Sequence, residues 1–179
     1  MVRPCPNGKA GSFTIPDGVA TIGSEAFRSC RSLTNITIPS SLTSIGNQAF
    51  VNCDNLTAVH FLGGAPAFGA NLFDNDNHTT VYYLPWTTGW GPTVGGRPTL
   101  LWVPQVLTGD AGFGVKTNQF GFNLQWVSGV YIMVEACTNL VNPAWAPVQT
   151  GPITNGSFYF SDPNWKTNPK QFYRVRWLP

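Results

Sequence analysis

Apolar residues in the first sixty positions recur in one fixed order at an interval of 23. Segment 13–35, FTIPDGVATIGSEAFRSCRSLTN, overlays 36–58, ITIPSSLTSIGNQAFVNCDNLTA, without a gap. The repeated positions are Ile15/Ile38, Pro16/Pro39, Ile22/Ile45, Gly23/Gly46, Ala26/Ala49, Phe27/Phe50, Cys30/Cys53, Leu33/Leu56 and Thr34/Thr57. Within one unit Leu33, Ile36 and Ile38 spell a short strand, which Pro39 ends because proline has no N–H for a continuing ladder. Leu42 and Ile45 point inward next. Gly46 then turns the chain, and the spacing of Ala49, Phe50 and Cys53 predicts about one and a half helical turns over 47–52. Each unit leaves an apolar face that only a stacked neighbour covers, so the repeat predicts a solenoid. A third unit opens at Val59 and the pattern is lost over 63–66.

Beyond the repeats the pattern changes twice. Residues 63–102 are rich in glycine and aromatics and keep one apolar strand before a proline, Val81–Leu84 then Pro85. They predict a last, irregular coil whose tryptophans fold over the open solenoid end as a cap. Residues 103–109 are expected to be a linker. From 110 to 179, period-two alternation at 120–126, 131–137, 158–160 and 172–177 reads as strands. Turn signals at Val127-Ser128-Gly129, Asn142-Pro143, Asn155-Gly156 and Asp162-Pro163 separate them at the spacing of a small antiparallel β-sandwich. The expected fold is therefore mixed α/β followed by all-β, with a repeat solenoid over 1–102 and a sandwich over 110–179.

The order Leu, Ile, Pro, Gly, Ala-Phe, Cys within xxLTxIxIPxxVxxIGxxAFxxC resembles the BspA-like class of bacterial leucine-rich repeats over about residues 6–61. Residues 6–13, PNGKAGSF, look like the lead-in to a first repeat of that class, and TVYYLP with TTGWG at 80–91 looks like its closing sequence. The resemblance implies a secreted or surface-displayed adhesin or scaffold with no catalytic residue. The run VEACTNL, PAWAPVQT, GSFYFSDP and FYRVR resembles a C-terminal β-sandwich module of secreted proteins from environmental bacteria. That second resemblance speaks to fold and address rather than to an activity.

Composition narrows the partners. Ten Lys and Arg against eight Asp and Glu give a charge of +2, with no basic run to neutralise a row of phosphates, so nucleic acid is not an expected partner. Apolar runs such as Leu100–Leu107 fall far short of the roughly 20 residues that span a bilayer. Residues 1–6 lack the apolar core of a signal peptide, so a secretion signal is expected upstream of this chain. No cofactor is expected. A preceding strand is expected to be missing, which would leave Phe13 and Ile15 on an uncapped end that self-associates.

Candidate chemistry is sparse. The chain has two histidines, His60 and His78, and no nucleophile elbow, zinc helix motif or phosphate loop. A binding role follows, with Thr34, Asn35, Thr37, Thr57, Ala58 and His60 lining the concave sheet and a protein or polysaccharide as ligand. His60 is expected to face solvent there. Exposed aromatics suit sugar rings, which makes the loop residues Trp86 and Trp90, then Trp145 and Trp165, further binding candidates, while Trp126 and Trp177 read as core. The alternative is a carbohydrate-active protein, a binding module or a glycoside hydrolase using Glu25 or Glu135. Asp74 and Asp76 alternate like the opening of a calcium loop, but Thr79 stands where that loop needs glycine, so a polar turn is the expectation. Cys30 and Cys53 project in parallel from successive coils and predict a thiol ladder. Cys5 and Cys137 show no partner.

Overall fold

The computed structural model describes residues 11–167 and 170–178, which divide into two units, Met1–Trp102 and Val103–Pro179. The first unit carries β1 (Gly11–Thr14), β2 (Thr21–Ile22), β3 (Leu33–Ile38), β4 (Ser44–Ile45), β5 (Ala58–Phe61), β6 (Ala67–Phe68), β7 (Thr80–Tyr83), β8 (Thr93–Val94) and β9 (Arg97–Leu101). Strands β1, β3, β5, β7 and β9 form a parallel sheet, and β8 pairs antiparallel with β9 at its end. Asn35 stands opposite Ala58 and Thr37 opposite His60, so the strands at 34–38 and 57–61 are adjacent and parallel as the repeat requires. A second parallel sheet, β2–β4–β6, runs along another side of the coil.

The third side holds no helix. Among the described residues the solenoid has no α-helix, and the expected helical turns are a ladder of turns instead. Alternate amides reach the next coil: Glu25, Phe27 and Ser29 N–H donate to Asn47, Ala49 and Val51 O at 2.9, 2.8 and 2.8 Å. The amides between them, on Ala26, Arg28 and Cys30, donate three residues back within the coil. Gln48, Phe50 and Asn52 repeat the ladder onto Ala70, Leu72 and Asp74. Glu25, Gln48 and Asn71, and again Ser29, Asn52 and Asn75, hold positive φ angles between 56° and 62°. An α-helix cannot pass a left-handed residue every fourth position, which is why the amides turn to neighbouring coils.

The ladder also reveals a third regular coil where an irregular cap was expected. Gly69 lies 23 residues after Gly46, Phe73 lies 23 after Phe50, and Asp76 takes the place of Cys53. Phe27, Phe50 and Phe73 stack face to face with centroids 5.4 Å apart at each step, and Phe13 tilts onto Phe27 at 6.0 Å. Ile15 is 2 % exposed, so it belongs to the core and not to an open end. Ile15→Lys would therefore bury a charge and unfold the unit, and it is no probe of self-association.

The thiol ladder needs correction. Cys30 is disulfide-bonded, whereas Cys53 is a free buried thiol whose Sγ–H donates to Phe27 O at 2.9 Å. The parallel projection of equivalent positions keeps Cys30 and Cys53 apart but places no restriction on other pairings. Burial pushes the Cys53 thiol up to about 11. Cys137 is also free and buried, and Cys5 lies outside the described residues.

The second unit contains β10 (Gln105–Leu107), β11 (Gly114–Lys116), β12 (Gln119–Gln125), β13 (Tyr131–Cys137), β14 (Ala146–Pro152), β15 (Ser157–Asp162) and β16 (Phe172–Leu178). β10 and β11 both pair with one side of β12, and β15 pairs with the other. β13 lies between β14 and β16 in a second antiparallel sheet. The expected linker over 103–109 is thus partly strand, because Val106 sits opposite the fully buried Leu124 and extends the sheet. Aromatic rings join the two sheets, with Trp126 on Trp177 at 5.8 Å and Phe160 on Tyr173 at 5.1 Å. Buried Asp162 sits among them, accepting from Tyr173 Oη at 3.0 Å and Gln171 Nε2 at 2.8 Å.

Candidate functional site

Strand alternation sorts the five-stranded sheet into a core row and an outer row. Phe13, Ile36, Val59 and Val81 align across β1, β3, β5 and β7 and pack inward. The next register holds Thr14, Thr37, His60, Tyr82 and Leu100 on the opposite face. Beside it run Ser12, Asn35, Ala58 and Thr80. Asn35 Nδ2 donates to Ser12 Oγ at 3.4 Å and Thr34 Oγ1 at 3.1 Å, which fixes the amide plane between coils. Thr57 Oγ1 donates to Thr34 O at 3.1 Å, so both threonines serve the join between β3 and β5 as well as the surface. Ala58 is only 8 % exposed and offers a ligand little.

His60 does not face open solvent. Its ring stacks on Tyr82 with centroids 5.0 Å apart and 14° between planes, and Trp102 tilts against it at 4.4 Å. Burial lowers its pKa from the ordinary histidine value, so the neutral imidazole is the folded form at pH 7. Tyr82 and Trp102 were not singled out by the sequence. Tyr82 was findable by carrying the strand register into the third coil, whereas nothing in the local pattern of Trp102 points to it.

The loop tryptophans go elsewhere. Trp90 stacks on Tyr83 at 5.2 Å, meets the inward Phe61 edge-on at 4.8 Å, and donates from Nε1 to Thr87 Oγ1 at 3.0 Å. Its ring is therefore engaged in packing. Trp86 is 48 % exposed and keeps an accessible face.

Neither carboxylate offered for catalysis stands alone. Glu25 pairs with Arg28 at 3.1 Å, and Glu135 accepts from Arg174 Nε at 2.6 Å with Arg176 at 3.9 Å. The Arg174 hydrogen bond holds the Glu135 carboxyl below the usual range, which suits an ion pair and not a general acid.

Asp74 is exposed while Asp76 is fully buried in the cysteine row, so the two do not converge on a cation. No cluster of three metal-ligating side chains occurs among the described residues. Thr79 Oγ1 lies 2.7 Å from both Leu56 O and Asp76 Oδ2, and one hydroxyl proton cannot serve both acceptors. With Thr79 donating to the carbonyl, the second contact closes when Asp76 is protonated and donates to Thr79 Oγ1. Burial raises the Asp76 pKa in the same sense, with Thr79, the His78 backbone, Arg97 and the His78 side chain pulling it back down. A carboxyl raised on folding stabilises the fold below its unfolded pKa and loses that contribution as pH rises through the folded value. Asp76→Asn is expected to raise the melting temperature at pH 7 relative to wild type and to leave it nearly unchanged at pH 4, measured by calorimetry. A constant difference across that range would show Asp76 to be ionised in the fold.

Among known proteins the likeness is confined to the repeats. No curated protein and no solved structure matches the chain. A family model described as a BspA type leucine rich repeat region matches residues 6–88 in six copies. That span contains all three coils and ends short of β8 and the second unit, so residues 6–88 are a leucine-rich repeat region of the BspA type.

Proposed function

We propose that the protein is a non-enzymatic binding or adhesion module of an extracellular or cell-surface bacterial protein, taking a protein ligand on the outer face of its five-stranded sheet. The observation that carries this reading is the outer row Thr37, His60 and Tyr82, three side chains set at strand spacing on a rigid ladder. A rigid platform of this kind loses little conformational entropy when a ligand settles on it. Short hydroxyl and amide groups along Ser12, Thr14, Asn35 and Thr80 supply a polar surround to the aromatic centre. The two packed sheets of the second unit are read as the accessory module of a secreted protein.

A glycan ligand is the second reading, favoured by the stacked faces of His60 and Tyr82. Immobilised full-length protein, titrated with panels of extracellular proteins and of polysaccharides, separates the two. Saturable binding of a protein, lost in Thr37→Arg with the melting temperature unchanged, is the expected result. Retention of a polysaccharide alone moves the assignment to the second reading. Binding that is indifferent to Thr37→Arg removes the sheet face from both, and turnover of a polysaccharide would make the protein an enzyme.

A further inference from the structure

The second unit is closed along one side and open along the other. On the closed side Gln149 of β14 reaches to β15, its Nε2 donating to Tyr159 O at 3.1 Å and its Oε1 accepting from Ser161 N–H at 3.0 Å. On the other side β10 pairs only with β12, and β16 only with β13, among the described residues. A cleft of about 540 Å³ lies between these edges, lined by Val106, Phe113, Phe122, Val175 and Trp177 among others. Val106 is 42 % exposed although its register partner Leu124 is fully buried, and Phe113 is 39 % exposed. Side chains in the position of a core therefore remain half open to water between two unpaired strand edges, which is how an incomplete sandwich would look.

We propose that this side accepts an extended segment of another polypeptide, which pairs with the free edge of β16 and sets an apolar side chain into the cleft at every second position. Strand addition takes its affinity from the backbone ladder and its selectivity from alternate side-chain pockets. The charge on the outer face of β16 specifies the partner further. Arg174 and Arg176 share the single carboxylate of Glu135, and the Arg176 side chain is 59 % exposed and 3.9 Å from it. A strand laid beside β16 puts its outward residues next to this surplus positive charge, so acidic residues fit between the apolar ones. A second copy of β16 would oppose arginine to arginine, which disfavours self-pairing through this edge.

The test uses the full chain with isotopically labelled backbone. Its probe is a synthetic ten-residue peptide with Val or Phe alternating with Glu or Thr. Two controls accompany it: the same composition with the apolar residues gathered together, and the alternating peptide with Lys in place of Glu. Saturable amide shifts over 172–178 are expected with the alternating acidic peptide, and binding of the gathered control about tenfold weaker. In Arg176→Glu, whose loss leaves the tighter Arg174–Glu135 pair in place, the preference is expected to turn by about tenfold toward the Lys peptide. Val106→Glu on the opposite edge should weaken the acidic peptide as well. Equal binding of alternating and gathered peptides, or an unchanged preference in Arg176→Glu, overturns the proposal. So does occupation of the cleft by anilinonaphthalene sulfonate that no peptide displaces, since that marks a pocket for a small apolar molecule.

Discussion

Gly46→Ala is expected to unfold the ladder side of the repeat. A methyl group at this position would overlap Ser24 N and stand 2.8 Å from both Gly23 C and Ser24 Cα, atoms of the preceding coil's own backbone. A flexible side chain can swing away from such a contact, but a ladder-bound backbone cannot, and separating the coils would break the Gly46 N–H bond to Ile22 O at 2.8 Å. Gly69 meets the same restriction one coil later, 2.5 Å from Asn47 N. The expected loss is about 3 kcal/mol. Because two units need not unfold together, it is best read by hydrogen exchange at the Glu25, Phe27, Gln48 and Phe50 amides and not from one melting curve. Protection equal to wild type at those amides would mean that the coils separate without cost.

Phe50→Ala is expected to be comparably severe for a different reason. Phe50 is fully buried and is the middle ring of the stack, touching Phe27 and Phe73 with centroids 5.4 Å away on either side. Its removal leaves a cavity that backbone ladders on both neighbouring coils prevent from closing, a situation that costs about 3–5 kcal/mol. Denaturant titration of the first unit, followed by hydrogen exchange, is expected to show a larger loss than Phe13→Ala, since Phe13 is half-buried and meets Phe27 alone within the stack. Equal losses at the two positions would contradict a rigid stack.

The strands of the sheet were legible because β3 and β5 alternate apolar and polar residues and because Pro39 marks an end. The ladder side was not, since Ala49, Phe50 and Cys53 suit a helix turn and a stacked turn equally well. What separates the two is the sign of φ at Glu25, Gln48 and Ser29, residue types that carry no left-handed preference, unlike Asn52, Asn71 and Asn75. The third coil hid behind substitutions that preserve volume and not identity, Phe68 for Ile45 and Asp76 for Cys53. Of the candidate site, Asn35, Thr37 and His60 followed from strand alternation. Tyr82 and Trp102 depend on register two coils on, and the disposition of Trp90 on which aromatic partners a loop happens to meet.

Gly23, Gly46 and Gly69 act as graduations on a ruler whose division is 23 residues. Every amide that leaves its coil on the ladder side finds a carbonyl only if the coil above has the same length in phase. A single inserted or deleted residue within a coil therefore throws all three of its faces out of step at once. Insertion of a whole division restores every bond and adds one ring to the phenylalanine column. Change of length in this molecule is accordingly quantised: the first unit can grow or shrink by complete coils, and its recognition surface widens by one strand each time.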